Sequence, residues 1–108
     1  MSNVFAEREK AFEDKWAHDE ELRFKVLARR NRLLGLWAAG EMGLTGAAAE
    51  TYAKTVVQAD VVKGDDSAVL SRIHEDFKAA KIARTEHLIH RRVDEYLAAA
   101  KKQVMEEG

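Results

Sequence analysis

Cysteine and proline are both absent from the 108 residues. Without cysteine the chain has no disulfide, no thiolate-ligated zinc or iron–sulfur cluster and no thiol nucleophile. Without proline, nothing forces a helix to end for want of an N–H. A dominant charge is missing as well: 18 Lys and Arg face 19 Asp and Glu, a net charge of −1. No global positive field therefore exists to drive nonspecific nucleic-acid binding. No run approaches the roughly 18 apolar residues of a membrane span, so direct membrane insertion is not expected. The first residues, Met1-Ser2-Asn3-Val4-Phe5, lack the basic-then-apolar order of a secretory signal, and a cytoplasmic location is the expectation.

What is present reads as helix along nearly the whole chain. Area scaling leaves roughly 6,000 Å² exposed of about 17,700 Å² in the open chain, enough burial for one modest core and one domain. Phe5, Phe12 and Trp16 fall at i, i+7 and i+11, a narrow stripe on a helix from about Asn3 to His18, with Asn3 at its cap. The stripe lapses at His18-Asp19-Glu20-Glu21. There the helix either runs on to Ala39, about 55 Å in all, or restarts with Asp19 as cap and two acids in the first turn. In both cases the segment before Asp19 lies outside the rest or only loosely on it. The second segment, about Glu20 to Ala39, is apolar on two adjoining faces (Leu22, Val26, Leu33, Trp37 and Phe24, Leu27, Leu34, Ala38) and should be central. Gly40 and Gly43 end it. Thr45 caps a third helix to about Val62. Gly64-Asp65-Asp66 is a turn, Ser67 to Ala80 a fourth helix, and Thr85 caps a fifth to about Gln103. The expected fold is all-α: a four-helix bundle over 20–108 with an N-terminal amphipathic arm, helical or partly disordered, over 1–19.

Candidate chemistry is sparse. His87 and His90 stand at i, i+3 near Glu86 and Asp94, but the order is not His-Glu-x-x-His, and no metal site is expected. Ser67 and Ser71 sit at a helix start, not in a nucleophile elbow. Gly35, Gly40, Gly43 and Gly46 lack the Gly-Lys-Ser/Thr ending of a phosphate loop and read as packing and turn glycines. No catalytic residue emerges. Between Leu22 and Gly40 lie five basic residues and no acidic one; this marks either phosphate or nucleic-acid contact or a helix whose wet side is basic and whose neighbours supply the acids, and the acidic pI argues for the second. Arg30 differs, because helical geometry sets it within a wide apolar arc. A buried guanidinium is tolerated only when paired, so a carboxylate, with Asp60 foremost, or a bound anion is expected on it.

The N-terminal arm carries the most information. Three aromatics recur on one face of an otherwise charged segment. Such a stripe either folds back as a further core helix or docks into another protein's groove. A helix of about 15 residues is marginal alone in water, so it would order fully only against a partner.

The words of the sequence then become specific. Arg8-Glu9-Lys10-Ala11-Phe12-Glu13 is followed by Ala17-His18-Asp19-Glu20-Glu21-Leu22-Arg23-Phe24-Lys25, by Ala28-Arg29-Arg30-Asn31-Arg32-Leu33-Leu34-Gly35-Leu36-Trp37-Ala38-Ala39, and by Gly43-Leu44-Thr45-Gly46. This closely resembles the zeta subunit of alphaproteobacterial F-type ATP synthase, most strongly from Phe5 to Tyr52. The resemblance implies a natural protein inhibitor of ATP hydrolysis by the synthase's catalytic head. It implies a four-helix bundle whose N-terminal segment enters the interface of catalytic subunits and rotor shaft and blocks hydrolytic rotation. Carried onto this chain, the partner-binding residues are Val4, Phe5, Arg8, Glu9, Lys10, Phe12, Glu13 and Trp16: apolar anchors with a charged rim. The resemblance further implies weak ADP or ATP binding at unassigned residues and a cytoplasmic place at the inner membrane through the synthase. From the residues themselves a monomer when free, no required cofactor and no nucleic-acid partner are expected; the alternative reading is a small helical module that binds another partner with little or no inhibitory activity. The chain departs from the expected pattern at Lys81, where a Gly is expected to close the fourth helix.

Overall fold

A computed structural model describes residues 4–63 and 66–107, with the backbone alone for 60–63. Five helices carry the chain: α1 (Val4–His18), α2 (Glu20–Glu41), α3 (Gly46–Lys63), α4 (Asp66–Ala79) and α5 (Glu86–Glu107). No strand occurs among the described residues. Asn3, Gly64 and Asp65, read above as a cap and a turn, lie outside the described residues.

The first two helices are separate. Asp19 alone is non-helical, at φ −104° and ψ 108°, and its carboxylate accepts a hydrogen bond from the Leu22 N–H at 3.0 Å. Glu20 and Glu21 follow in the first turn, where negative charge meets the positive end of the helix dipole. One capping residue thus turns the chain at a corner, and α1 leaves the axis of α2.

Two other boundaries are chemically matched. At the end of α2 the Leu44 N–H donates to the Ala39 carbonyl at 2.8 Å and the Gly43 N–H to that of Gly40 at 3.0 Å. Gly43 takes φ +80°, the left-handed position that this pair of bonds requires. The end of α4 repeats the pattern: Ile82 N–H to Phe77 carbonyl at 2.9 Å, Lys81 N–H to Lys78 carbonyl at 3.0 Å. Here the left-handed residue is Lys81, at φ 59°. The position keeps the conformation of a glycine while holding a lysine. Thr85 caps α5, its hydroxyl accepting from the Leu88 N–H at 3.1 Å. That helix continues a turn beyond Gln103, where the clamp of Glu107 on Arg29 at 2.6 Å ties its end to α2.

Packing divides into two apolar cores. The larger joins α2 to α5: Leu34, Ala38, Val56, Val69, Ile73, Phe77, Ile89 and Val93. Trp37 packs edge-on to Phe77, ring centroids 5.6 Å apart, with the Arg92 guanidinium 5.7 Å from its ring centre. Gly35 lets α2 and α3 close on each other, since a Cβ there would lie 2.8 Å from the Ala53 Cα. The smaller core sits at the far end of α2 and α5, built on Val26, Ala100 and Val104, with Phe12, Trp16, Leu22, Leu33 and Leu97 packed against it. The whole measures 52 × 29 × 27 Å with a radius of gyration of 15.1 Å. A chain of this length in one close-packed body would have about 13 Å, so the shape is drawn out.

Candidate protein-binding helix

Every residue of α1 is exposed or half-buried. Among the predicted anchors, Phe12 and Trp16 are half-buried and touch the smaller core. Phe5 is 65% exposed and Val4 55%. Yet at 100° per residue Phe5, Phe12 and Trp16 point the same way within about 40°. The stripe is therefore seated at its C-terminal end and open at its N-terminal end. Between α1 and α5 an open groove of about 650 Å³ runs past Ala6, Glu9 and Lys10 on one side and Asp94, Ala98 and Lys102 on the other. Helix α5 does not complement the whole of α1.

Polar contacts hold the seated end. The Trp16 indole N–H donates to Glu13 at 2.9 Å. The other oxygen of the same carboxylate meets the Lys101 ammonium at 3.0 Å. That ammonium also stands 4.2 Å from the centre of the Trp16 ring, in range of a cation–π attraction. The hydrogen bond from Lys101 holds the Glu13 carboxyl below its usual value, helped by the Trp16 N–H and opposed by partial desolvation. Arg8, Glu9 and Lys10 are exposed along the open part of the helix.

Arg30 lies away from α1. It is 2% exposed, and its guanidinium donates twice to the Asn31 amide oxygen, at 2.9 and 2.7 Å. The carboxylate it meets is Asp66, at 2.8 Å, on the first residue of α4. Asp60 is on α3, and its side chain lies outside the described residues. Arg30 thus ties α2 to the start of α4 inside the body and does not contribute to the surface of α1.

Two participants escaped the sequence reading. Lys101 sits one residue past Ala100 and three before Val104, at the margin of the α5 stripe, where a lysine reads as solvated. Its partners, Glu13 and Trp16, are 85 or more positions away, and no local pattern links them. Asn31, to which the sequence assigns no role, is 1% exposed, and only its place beside Arg30 hints at that.

Among the described residues no group of three or more His, Asp or Glu is placed to hold a metal ion. His87 and His90 are exposed. No described helix is long and apolar enough to cross a membrane.

An amphipathic helix thus lies half-seated on an all-helical body. The family model of ATPase inhibitor subunit zeta matches residues 1–103, and the chain belongs to that family. A search of curated proteins finds no match.

Proposed function

We propose that this chain restrains ATP hydrolysis by the catalytic head of an F-type ATP synthase, with α1 as the element that enters the partner. In this reading residues 1–19 are an inhibitory arm and 20–108 a four-helix bundle that carries it. The arm lodges between catalytic subunits and the rotor shaft, and hydrolytic rotation is blocked sterically. No residue of the chain performs chemistry and no cofactor is needed. The protein works at the inner membrane through the synthase.

The observation that carries this reading is the mismatch on α1. A helix that merely completed the fold would bury its whole stripe, yet Phe5 remains 65% exposed beside the half-buried Phe12 and Trp16. A groove in the partner that took all three rings would gain roughly 1.5–3 kcal/mol for each fully buried side chain, less the cost of ordering. The exposed Arg8, Glu9 and Lys10 would then set register at the rim.

The test uses ATP hydrolysis by the isolated catalytic head, titrated with the full chain and with a version starting at Asp19. Inhibition by the full chain alone is expected. Phe5→Ala is the sharper probe, since Phe5 contributes little to the chain's own packing. Inhibition should weaken at least about tenfold, the scale of one buried aromatic anchor, with unchanged thermal stability. Retained full potency would remove α1 as the docking element.

A further inference from the structure

We propose that the contact between α1 and α5 is an autoinhibitory latch, and that Lys101 is its catch. This rests on the reading that α1 is the inhibitory element and adds how that element is restrained. The two anchors nearest the corner, Phe12 and Trp16, are engaged at home, against Val26, Ala100 and Val104. A ring packed there is not available to a partner groove. Lys101 secures the arrangement from both sides at once: its ammonium pairs with Glu13 at 3.0 Å and lies over the Trp16 ring at 4.2 Å. Glu13 in turn fixes the indole, through the N–H at 2.9 Å. The three groups make one closed unit across two helices. Removing Lys101 breaks two of its three links.

The N-terminal end of α1 can start the exchange. Val4 and Phe5 are exposed, and the groove beneath that half of the helix is open. The corner at Asp19 is a single non-helical residue, so α1 can swing about it without unwinding α2. A partner would then capture Phe5 first and draw Phe12 and Trp16 off α5 afterwards. The apparent affinity falls by the fraction of chains that are unlatched. Loosening the latch therefore strengthens inhibition, the reverse of what loss of a docking residue does.

Two variants of the full chain test this on the isolated catalytic head. Lys101→Ala should lower the half-inhibitory concentration by about 3–10-fold, the unlatched fraction rising by that factor. In a Trp37→Phe background, where Trp16 is the sole indole, the same change should raise acrylamide quenching of its fluorescence. Because the chain has no cysteine of its own, Ala6→Cys with Ala98→Cys allows α1 to be tied across its groove by a short reductant-cleavable crosslinker. The tied chain should lose inhibition at least about tenfold and regain it on reduction. Equal potency of wild type and Lys101→Ala would overturn the latch, as would undiminished inhibition by the tied chain or unchanged quenching of Trp16. Failure of every form, the reduced double variant and Lys101→Ala included, would instead defeat the inhibitory reading itself.

Discussion

Lys81 stands where the backbone demands a residue at φ 59°. For an L side chain that conformation costs about 1–2 kcal/mol, and glycine avoids it at some expense in unfolded-chain entropy. Lys81→Gly should therefore stabilise the protein by about 0.5–1 kcal/mol, roughly 2–6 °C in the thermal midpoint. Gly35 has the opposite constraint, being helical and crowded. Alanine would gain about 1 kcal/mol in helix propensity, but its Cβ would lie 2.8 Å from the Ala53 backbone, and overpacking costs about 1–3 kcal/mol. Gly35→Ala should be net destabilising by on the order of 1 kcal/mol, read by chemical denaturation. These positions also mark what single residues disclose. Gly35 was legible as a packing glycine and Gly43 and Gly46 as turn glycines, because no phosphate-loop ending follows them; Gly40, read as ending α2, instead lies within that helix with open space around it. Arg30 was legible as a residue inside an apolar arc. Its partner Asp66 was not, because an acid after Gly64 satisfies the rules for a turn equally well, and only the packing of α4 on α2 brings it to the guanidinium.

Each helix was visible in its stripe, and the caps Asp19 and Thr85 in their residue type, since 3.6-residue periodicity and N-cap chemistry are local. The choice between one long helix and two was not local, because helical hydrogen bonding continues on both sides of the break: Asp19 N–H to Lys15 carbonyl at 3.0 Å, Arg23 N–H to Asp19 carbonyl at 2.9 Å. What separates α1 from α2 is where α1 goes afterwards, onto α5. The same holds for the stripe of α1, whose own periodicity says that it wants cover and nothing about how much cover α5 provides. The element-scale consequence is testable by deletion. A chain beginning at Asp19 keeps its cap and the larger core intact and loses the contacts of Phe12 and Trp16 with the smaller one, together with the ties of Glu13 and Trp16 to Lys101. It should fold cooperatively, with stability lower by about 1–3 kcal/mol for two half-buried aromatics. Failure to fold would mean that α1 is part of the core after all.

Over the whole molecule, the division into two cores separates two stabilities. The larger core holds α2 to α5 mainly with apolar contacts, with Arg30–Asp66 and Tyr52–Asp76 beside them, whereas the smaller one is bordered by carboxylates pulled below their ordinary values. Lys101 holds down Glu13; Arg29, then Lys25, hold down Glu107 against slight desolvation. The docked form of α1 thus binds the Glu13 proton more weakly than the undocked form does. Its electrostatic advantage is complete above the usual value of 4.5 and is lost as pH falls through the depressed one. Acid should release α1 before it unfolds the body. The groups facing the exchange are Lys101, Lys102 and Asp94 from α5, with Glu9 and Lys10 from α1. In the Trp37→Phe background, lowering pH from 7 to 3 should increase quenching of Trp16 while the helical circular dichroism signal of the body persists. Glu13→Gln removes the titrating group and half the hold of Lys101 on the arm. It should start partly released at neutral pH and respond less to acid. A residual acid response there belongs to the carboxylates that remain, and its loss when Glu107→Gln is added to Glu13→Gln assigns it to the Glu107 end of α5.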